Sequence, residues 1–183
     1  MKIGIVTIYN VPNYGAILQA YSLAEYLRRE GHEVVLFNVD SPKRHPYIYK
    51  LKRLFKLGFI DKFQQRNYPA ITSNLNEEVD IYMVGSDQVW NIEITQADYD
   101  KYFLAFALHN RKVSYAASFG NNEWDFPSKR NEIRGFLSAF KYITVREEMG
   151  VNILKDEFNM KGNCVLDPCF LLDGNDFLFG KII

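Results

Sequence analysis

The sequence predicts an α/β fold, a doubly wound and mostly parallel sheet, and three observations carry that prediction. Short β-branched runs at residues 3–8 and 34–39 lack the alternation of a half-exposed strand, so they read as strands buried on both faces. Segments whose apolar residues recur at helical spacing separate the strands. Small polar turns follow the strands, as at Gly85-Ser86-Asp87 and Phe119-Gly120.

The elements follow in order. Residues 3–8 (IGIVTI) form the first, central strand. After the loop 9–15, Ile17, Ala20, Tyr21, Ala24 and Leu27 define one helical face, with Arg28 and Arg29 at the end and Gly31 as the stop. Residues 34–39 complete a βαβ unit. Residues 80–84 and 112–118 supply two further strands. A helix carrying Ile133, Phe136, Leu137 and Phe140 leads to a strand at 142–145, and one carrying Val151, Leu154 and Phe158 leads to a strand at 164–166. Six or more strands alternating with helices make one doubly wound domain over residues 1–183.

One segment breaks the rhythm. Between Lys43 and Leu75 stand eight basic residues (Lys43, Arg44, Lys50, Lys52, Arg53, Lys56, Lys62, Arg66) and one acid, Asp61, a balance of +7 in a chain of zero net charge. Tyr47, Tyr49, Phe55, Phe59, Phe63 and Tyr68 lie among them. The segment reads as a basic, aromatic, helical insertion. Such a helix lies on an anionic membrane surface or grips an anionic ligand; equally, it can cover the sheet with a solvated basic face.

Composition excludes several classes. With 183 residues, 48% of them hydrophobic, and only 6 prolines and 11 glycines, the chain is neither disordered nor repetitive. Its 22 basic and 22 acidic residues argue against a general nucleic-acid binder. The start lacks a signal-peptide apolar region, and no apolar run approaches the ~20 residues of a membrane span. The expected location is cytoplasmic, with peripheral membrane contact through the basic segment. Cys164 and Cys169 form neither a CxxC pair nor a zinc pattern. His32, His45 and His109 fall away from strand ends, so neither a histidine base nor a metal site is expected.

Ligands of open parallel sheets bind at the carboxyl ends of the strands. There the first strand offers Asn13, also a natural helix cap, and Gly15, where a ligand could approach the backbone. The spacing of Gly4 and Gly15 does not fit a dinucleotide fingerprint. The third strand ends in Ser86, Asp87, Gln88, Trp90 and Asn91, hydrogen-bonding groups beside an indole, which suits sugar hydroxyls and the apolar face of a pyranose. A structural turn with a core tryptophan is the alternative. Ser118 ends the fourth strand. Arg146 ends the fifth, where it would grip a carboxylate or phosphate unless Glu147 or Glu148 pairs it.

The segments IGIVTIYNVPNYGAILQAYSLAEYLRREGHEV, VGSDQVWN, YFLAFA, RKVSYAASFG, ITVREEMGVNILK and VLDPCFLL, in this order, resemble the N-terminal half of the polysaccharide pyruvyl transferase family. The resemblance implies a Rossmann-like domain forming one half of a GT-B-type enzyme. It also implies transfer of pyruvate from phosphoenolpyruvate to two sugar hydroxyls as a cyclic ketal in cell-surface polysaccharide synthesis, with no other cofactor. Binding of the donor and proton transfer would then fall largely to a C-terminal half, and this chain, read as truncated, would supply the acceptor side. Its partners would be a sugar or lipid-linked glycan, and the missing half or a second copy. The alternatives are a noncatalytic glycan- or partner-binding module and half of a GT-B glycosyltransferase.

Overall fold

The computed structural model describes residues 1–11, 13–39, 60–108 and 110–177. Its central strand β1 (Lys2–Val6) lies between β2 (Glu33–Phe37) and β4 (Ile81–Val84). With β3 (Ala70–Thr72), β5 (Lys112–Ser114) and β6 (Phe140–Tyr142) they form a sheet in the order β3-β2-β1-β4-β5-β6. Every pairing is parallel. This is the doubly wound, Rossmann-like order expected of the sequence, and it reverses direction between β1 and β4.

Alternate residues of each central strand serve opposite faces, and both faces are covered. Ile3 and Ile5 of β1 join Val34 and Leu36 of β2 and a stripe of α1 (Tyr14–Arg29) that includes Ile17, Tyr21 and Leu23. Val6, Val35, Phe37 and Val84 face the other way, in a core with Trp90, Phe103, Leu154 and Phe158. Gly4 is explained by that packing: a Cβ there would stand 2.2 Å from Phe37 Cε2, so the fully buried ring occupies the place of a side chain. Asn13 caps α1, its Oδ1 accepting from Gly15 N at 2.8 Å, and Gly31 follows the last turn at a φ of +82°.

Several elements differ from the sequence reading. The expected strand at 112–118 is in the sheet only as far as Ser114; Ala116 turns the chain at φ +55°, and Ala117 meets Asp87 and Val145 by single bridges. The expected strand at 142–145 is two: β6, and β7 (Thr144–Val145), which pairs with β8 (Asn163–Cys164) in a separate two-stranded sheet. Ser114 and Thr144 hold the two sheets together, with Thr144 Oγ1 donating to Ser114 O at 2.8 Å and Thr144 N donating to Ser114 Oγ at 2.9 Å. Hydrophobic period cannot register a strand that changes partner midway. Finally, α3 (Ile92–Thr95) and α4 (Tyr99–Tyr102) are one turn each, too short for a periodic signal.

The segment 43–75 is not a helical insertion throughout. Residues 60–67 are helical (α2), with Ile60 and Phe63 buried, but Ala70–Thr72 is β3, the outermost strand. The remaining basic and aromatic residues up to Phe59 lie outside the described residues. The last helices are α5 (Arg130–Leu137) and α6 (Glu148–Phe158). Near the C-terminus, Leu172 is buried and Leu171 packs with it, while residues 178–183 lie outside the described residues.

Lys112 opens β5 at 3% exposure, with no ion-pair partner among the described residues, and burial lowers its pKa. The folded state therefore bears the desolvation of this charge at neutral pH and is relieved of it as pH rises through the lowered folded value towards the unfolded one. Lys112→Met, similar in volume and uncharged, should stabilise the protein at neutral pH by about 1 kcal/mol or more, and the gain should shrink at alkaline pH. Denaturant titrations of both proteins across pH check this.

Candidate functional site

The carboxyl ends of β1 and β4, where the strand order reverses, are tied together rather than open. Thr7 Oγ1 donates to Ser86 O at 2.7 Å, and the buried Gln19 donates through Nε2 to Thr7 Oγ1 at 2.9 Å. The open space lies beyond, at the ends of β4, β5 and β7. A pocket of about 150 Å³ forms there from Gln88, Ser118, Phe119, Gly120, Asn121, Asn122, Arg146, Glu147, Met149 and Gly150. That is room for about one small ring, since an engineered cavity of about 150 Å³ holds a benzene.

Its polar walls are set by main-chain geometry. Asp87 bridges to Ala117 and Ala117 to Val145, so the β4, β5 and β7 ends emerge side by side. Ser118 is 1% exposed and its Oγ accepts from Gly120 N at 3.0 Å. Gly120 has a φ of +76°, and a Cβ there would lie 2.5 Å from Gln88 Oε1 and 2.7 Å from Asn91 Nδ2. Those two atoms hydrogen-bond at 3.0 Å, so the glycine lets the loop close over them.

Arg146 is held on two edges. Its Nε donates to Glu147 Oε1 at 2.7 Å, and its Nη1 lies 3.5 Å from both Asp167 Oδ2 and Ser86 Oγ. The fully buried Ser86 in turn donates to Asp167 Oδ2 at 2.8 Å. Burial alone would lower the arginine pKa, but the Glu147 hydrogen bond and the charges of Glu147, Asp167 and Asp87 hold it above its ordinary value. The sequence allowed a free grip for an anion or an internal pair, and the internal pair is what forms.

The profile of the polysaccharide pyruvyl transferase family matches residues 13–181, most of the chain. The chain belongs to the polysaccharide pyruvyl transferase family. No curated protein matches it significantly.

In this pyruvyl transferase family member the residues singled out from the sequence separate into four groups. Gln88, Ser118 and Arg146 line the pocket; Ser86, Asp87 and Asn91 lie behind it, bonded to those walls or to the loop between them. Asn13 and Gly15 are on the same carboxyl edge, at the start of α1, but do not line the pocket. Trp90 belongs to the core. It is 0% exposed, its indole N–H donates to Tyr102 O at 3.3 Å, and its ring stacks on Phe103 with centroids 5.5 Å apart. Phe119 and Phe140 close the remaining sides, which leaves no indole face for a pyranose. Asn91 is likewise structural, accepting from Glu93 N at 3.0 Å as the cap of α3.

The sequence reading did not select Gly120, Asn121, Asn122, Glu147 or Asp167, although each lies in a strand-end segment it had located. The Ser86–Asp167 and Arg146–Asp167 contacts join positions 81 and 21 residues apart, and no local pattern signals them. Burial pushes the Cys169 thiol up to about 12, with the hydrogen bond it donates to the Asp167 carboxylate adding to the shift, so neither free cysteine is poised as a nucleophile. No helix among the described residues is long and apolar enough to cross a membrane.

Asp87 has a φ of +79°, a left-handed conformation that asparagine adopts as readily as aspartate. Burial raises its carboxyl pKa, against the opposing pull of the Gln88 N–H and Arg146. The folded protein thus binds this proton more tightly than the unfolded chain, and stability falls as pH rises from the unfolded pKa through the raised one. Asp87→Asn should raise the melting temperature by a few degrees at neutral pH, and the gain should vanish in acid. Scanning calorimetry of the two proteins across that range checks the sign.

Proposed function

We propose that this domain holds the sugar acceptor of a pyruvyl transfer reaction at the carboxyl-edge pocket. In that reaction the methylene of phosphoenolpyruvate takes a proton, a sugar hydroxyl adds to the adjacent carbon, and the bond to phosphate breaks with inorganic phosphate as leaving group. A second hydroxyl then closes the cyclic ketal, and the two hydroxyl protons are released. Cationic groups must hold the donor's phosphate and carboxylate throughout. The one arginine among the described residues at this pocket is engaged by carboxylates, and this observation carries the assignment of the pocket to the acceptor rather than the donor.

What remains at the pocket wall suits hydroxyls. Gln88 accepts from Asn91 through Oε1 and keeps its NH₂ group for a ligand, while Asn122 and Glu147 add acceptors. The donor, on this reading, meets a complementary C-terminal half across the pocket, and the reaction takes place in the cytoplasm with no cofactor besides the donor substrate. The basic segment 43–75 would recruit an anionic or lipid-linked acceptor. The exposed Leu166 and Phe170, which flank Asp167, would be covered by the second half or by another copy.

Calorimetric titration of the chain with glucose, galactose and mannose tests the reading. Binding of at least one neutral pyranose, weakened by Gln88→Ala and not displaced by phosphoenolpyruvate, is the expected result. Direct competition between sugar and phosphoenolpyruvate would make this the donor site instead.

A further inference from the structure

We propose that Glu147 makes this pocket reject anions, so that its ligand is an uncharged, hydroxyl-bearing molecule about one ring in size. The identity of the ligand rests on the acceptor reading above; the role of Glu147 does not.

The pocket contains the parts of an anion site. Arg146 lines it, the loop bends back at Gly120, and Met149 and Gly150 bring the first turn of α6 to its wall. A helix N-terminus and a guanidinium together ordinarily attract phosphate or carboxylate. Glu147 is the N-cap residue of α6, yet its side chain makes no capping hydrogen bond. Its carboxylate turns to Arg146 instead, taking the Nε edge at 2.7 Å. Asp167 shares Nη1 at 3.5 Å, and the charge of Asp87 also acts on the guanidinium. One cation thus stands against three carboxylates, and an entering anion meets repulsion where the arginine alone would have offered attraction.

A neutral polyol meets no such opposition. The Gln88 NH₂ group and the second guanidinium nitrogen of Arg146, Nη2, have no acceptor among the described residues, while Glu147 keeps an oxygen beyond the one that Arg146 takes. Donors and an acceptor therefore face a space that fits one ring. Hydroxyls, which both donate and accept, satisfy them without adding charge.

The test uses inorganic phosphate as probe, followed by nitrogen–proton correlation spectra of the 183-residue chain at the Gly120, Met149 and Gly150 amides. Wild type should show no saturable shift. Glu147→Gln, similar in shape and one charge less acidic, should bind phosphate at these amides at least ~tenfold more tightly. Glu148→Gln removes the same charge one residue away, from an exposed side chain, and should gain nothing. Thermal unfolding within a few degrees of wild type shows that both variants are folded.

Equal phosphate binding by wild type and Glu147→Gln would overturn the proposal, and so would an equal gain from Glu148→Gln, which would reduce the effect to net charge. Titration with glucose, galactose and mannose separates this inference from the acceptor reading. If Glu147→Gln gains phosphate while no pyranose binds wild type, Glu147 excludes anions and the acceptor reading fails. If a pyranose binds but Glu147→Gln gains no phosphate, the acceptor reading stands and this proposal falls.

Discussion

Trp90→Ala is expected to destabilise the domain by about 3–5 kcal/mol, the range for truncating a fully buried large aromatic residue. The indole is 0% exposed, lies parallel to Phe103 with an interplanar angle of 6°, and meets Phe119 and Phe140 at centroid distances of 5.1 and 5.9 Å. Alanine would leave a cavity bounded by three rings, of which Phe103 is backed by Phe136 and Phe119 by Trp124 and Phe158, so the site cannot collapse freely. It would also remove the hydrogen bond that the indole N–H donates to the buried Tyr102 O, worth about 1 kcal/mol. Against a typical total stability of about 5–15 kcal/mol, the variant should unfold at much lower denaturant or fail to accumulate. Trp90→Phe should recover a large part of the loss. A surface indole serving as a sugar platform would instead cost less than about 0.5 kcal/mol on truncation, so urea melts of the two variants separate the roles.

Gly120→Ala should be the most damaging small substitution at the pocket. The left-handed backbone at +76° costs a side-chain-bearing residue about 1–2 kcal/mol. The added methyl also meets the Gln88 and Asn91 amide atoms at 2.5 and 2.7 Å and must part a bond worth about 1 kcal/mol. A total of about 2–3 kcal/mol is expected, together with loss of ligand binding as the Gln88 amide is driven into the pocket. Gly135→Ala is the matched control: Gly135 lies in α5, nothing stands within 4 Å of its Cβ position, and alanine there should stabilise by about 0.5–1 kcal/mol. Chemical denaturation gives the opposite signs directly.

The central strands were legible because each carries a continuous apolar run whose meaning depends on nothing distant. The same holds for α1, where Asn13, the stripe from Ile17 to Leu27, Arg28, Arg29 and Gly31 all agree. Legibility failed where structure depends on a partner. Ala70–Thr72 reads as part of a basic segment because three residues carry no period, and its strand state comes from pairing with β2. Ile143 joins strands of two sheets, which no side-chain pattern announces.

The site behaved likewise. Its edge followed from topology, since every strand runs the same way. The chemistry within that edge did not follow from residue type alone. Trp90 and Asn91 have the side chains of a sugar site and are spent on the core and a helix cap. Arg146 has the side chain of an anion site and is bound by Glu147, with Asp167 beside it.

The central claim, that the ligand of this pyruvyl transferase family chain sits at the joined ends of β4, β5 and β7, is tested most directly by a crystal structure of the protein soaked with a neutral pyranose that binds it in solution. The account predicts one ordered ring among Gln88, Ser118, Asn122 and Arg146, with Arg146 still paired to Glu147 and Trp90 untouched. A sugar ordered against Asn13 and Gly15 at the start of α1, or at the opposite edge of the sheet near Lys112, with this pocket empty, would contradict it.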